Sequence, residues 1–347
     1  MKINIIDSQK FVQISNVIFS EITTYDDFIS KNKNNNLSIL QKRVFKDETF
    51  INYISNNYSL RENDIIYCQS NHVEELFRSL KNINQFKNIK LITHQSDRAI
   101  TKELFSLKPQ CISTWYAVNV AYKNTHLIPI PLGVNINYTN NYPVESDFKD
   151  FKFKKFEEKD QKIYVNFNVN TKPFHRFNAE LSLTSKKNVI FETNDLDKKE
   201  YLSTINNYKY ILSPFGNGYD THRVWEAIYS NSIPIVENHI SFSSFKDLPI
   251  IYVDKISKAN LILNSINKRN SNLEKADFNY WKDLINNNKV ENNNTEMITI
   301  DRENQHKNFL KLRSKNIIRN QRYKKIRYFI FRVYKKLAYL FVGNLKN

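Results

Sequence analysis

Apolar positions fall along this chain in short runs separated by segments of helical period. Ile65-Ile66-Tyr67-Cys68 is one such run, and Val73 to Leu80 follows with apolar residues at 73, 76, 77 and 80, one face of a helix. Lys90-Leu91-Ile92-Thr93 is the next run and ends in His94-Gln95-Ser96-Asp97-Arg98. After a helical segment come Cys111 to Tyr116 and Leu127 to Val134. In the second half, Lys162 to Asn170 alternates with period two, Asn188 to Thr193 is a further run, and apolar residues at 201, 202 and 205 mark a helix. Tyr210 to Leu212, Ile233 to Val236 and Ile250 to Val253 complete the set. Strands alternating with helices predict an α/β protein with mostly parallel pairing and helices on both sheet faces. Before residue 60 the pattern is weaker: Ile3 to Asp7 suits a first strand, and Ile39 to Ile54 a mixed helical segment. Residues 256–284 have a helical pattern, 285–296 are an Asn-rich loop, and a long basic helix is expected from about residue 299.

With 347 residues the chain can hold two domains with cores of their own. The aperiodic, mixed-charge stretch between Asn137 and Asp160 marks the boundary. The expected division is 1–150, 151–298, and a basic aromatic tail over 299–347. The cysteines, Cys68 and Cys111, lie in or beside apolar segments without a CxxC partner, which favours buried free thiols in a reducing compartment. Met1 to Asp7 is too short and polar for a signal-peptide core, and no stretch reaches the ~18 apolar residues of a spanning helix. The net charge of +17 is concentrated: twelve basic residues and no acidic one lie from Lys311 onward, so the first 310 residues carry only +5.

The chemistry concentrates between Tyr208 and Glu237. A run enters a loop containing Ser213, Pro214, Gly216, Asn217 and Gly218, then Asp220, Thr221, His222 and Arg223 lead into Trp225-Glu226-Ala227-Ile228. Two of the four glycines are here, marking a loop where backbone approaches something closely. A strand, glycine turn and helix start present backbone N–H groups to an anion. Arg223 adds a fork of donors and Glu226 an acceptor for ribose hydroxyls; a bland alternative makes them an exposed i,i+3 pair. Lys172 and Arg176, at another strand end, suit a diphosphate or a solvated helix face. Beyond the strand ending at Thr93, His94 and Asp97 are positioned for general-base or acceptor-binding work; alternatively, Ser96 or Asp97 caps the next helix. Asp195-x-Asp197 has the spacing of a divalent-metal motif, but the helix-forming run after it favours capping.

The segment resembles the exostosin-like glycosyltransferases (family 47 type), and more closely their bacterial surface-polysaccharide relatives. The resemblance rests on Ser213-Pro214-Phe215-Gly216-Asn217-Gly218, Asp220-Thr221-His222-Arg223, Trp225-Glu226-Ala227 and Ile233-Pro234-Ile235-Val236. A looser likeness covers Thr93 to Asp97, Trp115 to Asn119, Ile130 to Gly133, and Asn166-Phe167 with Arg176. It implies a GT-B fold: two Rossmann-like domains facing across a cleft, a nucleotide-sugar donor in the C-terminal one, and no metal or separate cofactor. By carry-over Arg223 contacts the diphosphate and Glu226 the ribose, with Asp220 to His222 lining the donor site. It supplies no general base, so His94 and Asp97 rest on position.

In the tail, apolar and aromatic residues interleave with the bases, a composition suited to an anionic membrane surface. The expected protein is a cytoplasmic, peripherally membrane-associated glycosyltransferase acting on a lipid-linked or other surface glycan, binding membrane through 311–347 and no nucleic acid. The alternatives are an inactive GT-B relative that holds a nucleotide or glycan, and a nucleic-acid binder acting through its tail.

Overall fold

The computed structural model describes residues 3–45, 48–136, 142–192, 195–262, 272–287, 296–301 and 325–338. The first half supplies β1 (Val17–Thr24), β2 (Leu37–Phe45), β3 (Glu48–Ser55), β4 (Asn57–Leu60), β5 (Ile65–Gln69), β6 (Ile89–His94), β7 (Ile112–Ala117) and β8 (Leu127–Pro129). Seven of them form one sheet in the order β2-β3-β1-β5-β6-β7-β8. From β1 to β8 the neighbours are parallel, whereas β3 is antiparallel to both β1 and β2. The sheet is therefore mixed. Its antiparallel edge is the segment expected to be helical, Ile39 to Ile54. Ile51, Tyr53 and Ile54 are buried, and Tyr53 packs on Phe28 of the helix Tyr25–Lys31. β-Branched and aromatic residues that can extend an existing sheet gain more from pairing than from a weak helical period. Ile3 to Asp7 is likewise not a strand. The Asp7 carboxylate accepts the N–H groups of Gln9 and Lys10 at 2.8 and 3.1 Å and caps the helix Ser8–Gln13, while Ile5 and Ile6 enter the core.

The second half supplies β9 (Asp160–Val165), β10 (Val189–Phe191), β11 (Tyr208–Leu212), β12 (Ile233–Glu237) and β13 (Ile251–Val253). They form a sheet in the order β10-β9-β11-β12-β13, every pair parallel. Successive side chains point to opposite faces. Ile163, Val165, Tyr210 and Leu212 meet Ala179 and Leu183 of the helix Pro173–Leu183. Tyr164 and Ile211 meet Tyr201, Leu202 and Ile205 of the helix Lys198–Ile205, and Val224, Trp225 and Ile228 of the helix His222–Tyr229. Coverage on both faces explains why these strands read as continuous apolar runs. The inner of these two clusters continues through Ile6, Phe11, Tyr67 and Ile92, so one apolar core joins the two sheets.

After the second sheet the chain returns to the first. The N–H of Phe278 donates to the Asn4 carbonyl at 2.8 Å, Trp281 is fully buried, and the Lys90 amine holds the carbonyls of Ile285 and Asn287 at the end of the helix Phe278–Asn286. Strand β14 (Ile298–Asp301) then pairs antiparallel with β4. Thus the helical pattern over 256–284 divides into 3₁₀ turns at Ile256–Ile262 and Glu274–Ala276 followed by an α-helix, with 263–271 outside the described residues. The long basic helix expected from about 299 begins later, because 298–301 is a strand; the described helix spans 325–338. Both cysteines are buried and unbridged. No described helix is long and apolar enough to cross a membrane.

Gly133, in the loop after β8, has φ +72°, and a Cβ there would lie 2.2 Å from the Ile6 carbonyl oxygen. Gly133→Ala is expected to cost roughly 2–4 kcal/mol. Urea unfolding would read it as a lowered midpoint at unchanged slope.

Candidate functional site

In a parallel sheet, ligands collect beyond the carboxyl ends of the strands where the strand order reverses. Here the order reverses between β9 and β11, because the chain leaves β9 toward β10 and returns on the other side. The loops after these two strands diverge and leave a gap, which faces the carboxyl end of β6 across the molecule. The result is a cavity of about 500 Å³ lined by His94 to Asp97 from β6 and its loop, Leu132 and Val134 to Ile136, Asn168, Thr171 and Arg176 beyond β9, and Gly216 to Gly218, Asp220 to Arg223 and Glu226 beyond β11. This size suits a small organic ligand.

The loop after β11 is tied to the first half. Asn119, itself in the left-handed region at φ 56°, accepts the N–H groups of Tyr219 and Asp220 on Oδ1 at 2.8 and 3.2 Å and donates from Nδ2 to the Ser96 carbonyl. The buried Asp220 carboxylate accepts the N–H of Leu132 at 2.8 Å and the indole N–H of Trp225 at 2.9 Å. His222 donates from Nδ1 to the Gly133 carbonyl at 2.7 Å. These ties explain the glycines differently from the sequence. A Cβ on Gly218 would lie 2.6 Å from the Asn119 amide, and one on Gly216 would lie 3.2 Å from Arg176 Nη2. The close approach is to the protein's own side chains. Gly216, Asn217 and Gly218 nevertheless line the cavity. Ser213 does not: it is buried at the end of β11 with its hydroxyl turned back to the Ile211 carbonyl.

Arg223 and Glu226 are not an exposed surface pair. Glu226 is buried and accepts the Tyr201 hydroxyl at 2.7 Å. The Arg223 guanidinium lies 5.5 Å above the Tyr201 ring, and its Nη1 is sealed from solvent with no hydrogen-bond partner among the described residues. Burial opposes its charge, but Tyr201, Glu226 and Tyr164 outweigh burial and raise its pKa. The Thr221 hydroxyl is also buried without a partner among the described residues, at the start of the helix His222–Tyr229, where first-turn amides have no intrahelical acceptor. Arg176 has a different task. Its guanidinium donates to the carbonyls of Phe215, Asn168 and Pro214, joining the two strand-end loops. Burial, then the repulsion of Arg223, push it down to about 10. The Lys172 amine sits over the rings of Phe215 and Tyr219.

Across the cavity, His94 is buried with both ring nitrogens engaged: Nδ1 accepts the Gln95 N–H at 2.8 Å and Nε2 faces the Pro131 carbonyl at 3.3 Å. Burial lowers its pKa to about 3, so the ring stays neutral. Gln95, in the left-handed region at φ 56°, turns the chain sharply after β6 and holds both backbone groups of Ile22 through its amide. Asp97 stands exposed on the cavity rim with no hydrogen-bond partner among the described residues. Neither Ser96 nor Asp97 caps the following helix; Thr101 caps the single turn Lys102–Phe105. Asp197 caps the helix Lys198–Ile205 in a reciprocal box with Glu200. No cluster of metal-binding side chains occurs among the described residues.

Sequence reasoning missed Asn119, Asn168 and Thr171 as members or supports of this site. Asn119 binds partners a hundred positions away, and no local pattern marks such a tie. Comparison with protein-family models and with curated proteins finds no match to the chain.

Burial raises the Asp220 carboxyl from an ordinary 3.8 to about 7, even though three hydrogen bonds partly oppose the shift. An acid with a raised folded-state pKa binds more protons folded than unfolded between these values, so its contribution to stability is full below about pH 4 and is lost as pH rises through about 7. Asp220→Asn is expected to flatten that descending limb relative to the unchanged chain. Chemical denaturation at pH 4, 5.5 and 7.5, about evenly spaced across the window, reads the difference.

Proposed function

We propose that the chain is a metal-independent glycosyltransferase of the GT-B type, moving a sugar from a nucleoside-diphosphate donor to a glycan acceptor. One observation carries the reading: Arg223 Nη1 and the Thr221 hydroxyl, each sealed from solvent with no partner among the described residues, belong to residues two positions apart at a helix start that lines the cavity. That arrangement asks for an anion with several oxygens. Glu226, one turn further, suits a pair of sugar hydroxyls of the nucleoside. The likeness of Ser213 to Val236 to the exostosin-like enzymes supports the same assignment. The two sheets, with the cavity between their strand ends, suit a donor held by the second and an acceptor entering past the first.

In this reading the acceptor hydroxyl oxygen forms a bond to the anomeric carbon while that carbon's bond to the diphosphate oxygen breaks. Arg223, the Thr221 hydroxyl and the helix amides would meet the charge that develops on the leaving group, a role that groups fixed in the fold perform with little reorganisation. Arg176 positions the loops that form this cradle. The departing proton goes to the Asp97 carboxylate, since His94 has no nitrogen to spare. His94 then supports the loop rather than transferring a proton.

Titration calorimetry with uridine, guanosine, cytidine and thymidine diphosphates tests the donor site. At least one is expected to bind, and Arg223→Ala to weaken it by about 10- to 100-fold. If none bound, or if Arg223→Ala bound equally well, the assignment would fail. Asp97→Asn is expected to lower turnover by about 10²–10⁴-fold with donor affinity retained. Nucleoside-diphosphate release in the presence of acceptor measures it.

A further inference from the structure

The described helix of the tail, 325–338, has two different faces. On the inner one Phe331, 2% exposed, meets Phe174 and Phe177 at ring separations of 5.5 and 5.8 Å. Tyr334 packs on the same two rings and donates its hydroxyl to Asn178 at 2.9 Å. These contacts fix the helix against Pro173–Leu183 and fix which way its other side points. On that other side Ile326, Ile330, Val333 and Leu337 form a stripe at the i, i+4, i+7, i+11 spacing, flanked by Phe329, and every one is about half exposed or more. Lys325, Arg332 and Lys336, all exposed, make a parallel row one position behind it. The helix contains no acidic residue.

We infer that this outward face of residues 325–338 docks on an anionic lipid bilayer, with the apolar stripe entering the headgroup boundary and the row of bases meeting the lipid charge. A soluble monomer gains nothing by exposing five large apolar side chains in register. An apolar stripe running alongside an all-basic row is the pattern of an interfacial helix. Charge decides the occupant. A second copy of this helix would bring like charge against like, whereas an anionic leaflet complements every base in the row. The inference does not depend on the chemistry proposed above, because it rests on side chains outside the cavity.

Co-sedimentation of the full-length protein with vesicles tests it. Binding is expected to vesicles of phosphatidylcholine and phosphatidylglycerol at roughly two to one, and to weaken about tenfold or more on phosphatidylcholine alone. Ile330→Glu with Val333→Glu should abolish binding at an unchanged melting temperature, since both positions are exposed. Lys325→Glu with Lys336→Glu should remove the preference for anionic lipid. The inference is overturned if the unaltered protein fails to sediment with anionic vesicles, or if the Glu pair leaves sedimentation intact. It is also overturned if light scattering shows a dimer that the Ile330→Glu, Val333→Glu protein no longer forms, since a second copy would then own the face. None of these measurements uses a nucleotide, so failure here is separable from failure of the donor site.

Discussion

A guanidinium cannot shed its proton inside a protein, so a buried arginine must find its compensation in the groups around it. Arg223 is in that position, and the site is shaped by how the requirement is met. Its neighbours meet it: the face of Tyr201 and the Glu226 carboxylate, itself hydrogen-bonded to Tyr201, outweigh the burial, although Arg176 stands near enough for the two charges to repel. The helix start adds further positive potential in the same place. What sustains the arrangement is the apolar core beneath it. Trp225, on the same helix, is fully buried, and the cluster around it runs from Ile6 to Trp281. The burial that opposes the Arg223 charge is thus offset by Tyr201 and Glu226 beside it and by the packing beneath it.

The parts of this picture that a reader of the sequence could see are those encoded within some thirty consecutive residues. The strand from Tyr208, the loop with two glycines, the helix bearing Arg223 and Glu226, and the strand from Ile233 all stand where the pattern of apolar residues puts them. Asp197 as a cap was legible for the same reason, since its partner Glu200 is three residues away. What was not legible depends on distant pairing. The segment Leu37 to Ser55 has no strong period of its own and becomes a pair of strands only because β1 offers an edge. Ile298 to Asp301 is a strand only because β4 offers another.

The site shows the same division. Position alone placed His94 and Asp97 on the cavity, but not their difference. Burial and two hydrogen bonds occupy the histidine, while the aspartate, three residues on, stays open. A sequence shows that a residue is ionisable. It does not show which of its atoms the neighbours have already claimed.

The contact between Asn119 and Gly218 reaches beyond one molecule. The asparagine amide fills the space a side chain at 218 would need, and it also holds the next two backbone N–H groups. Neither position is free to drift while the other stays, although a hundred residues separate them in the chain. Recombination that joined the first half of one such sequence to the second half of another would succeed only where both parents had inherited the same solution at these two places. A side chain at 218 is thus expected to be accepted only together with a change at 119.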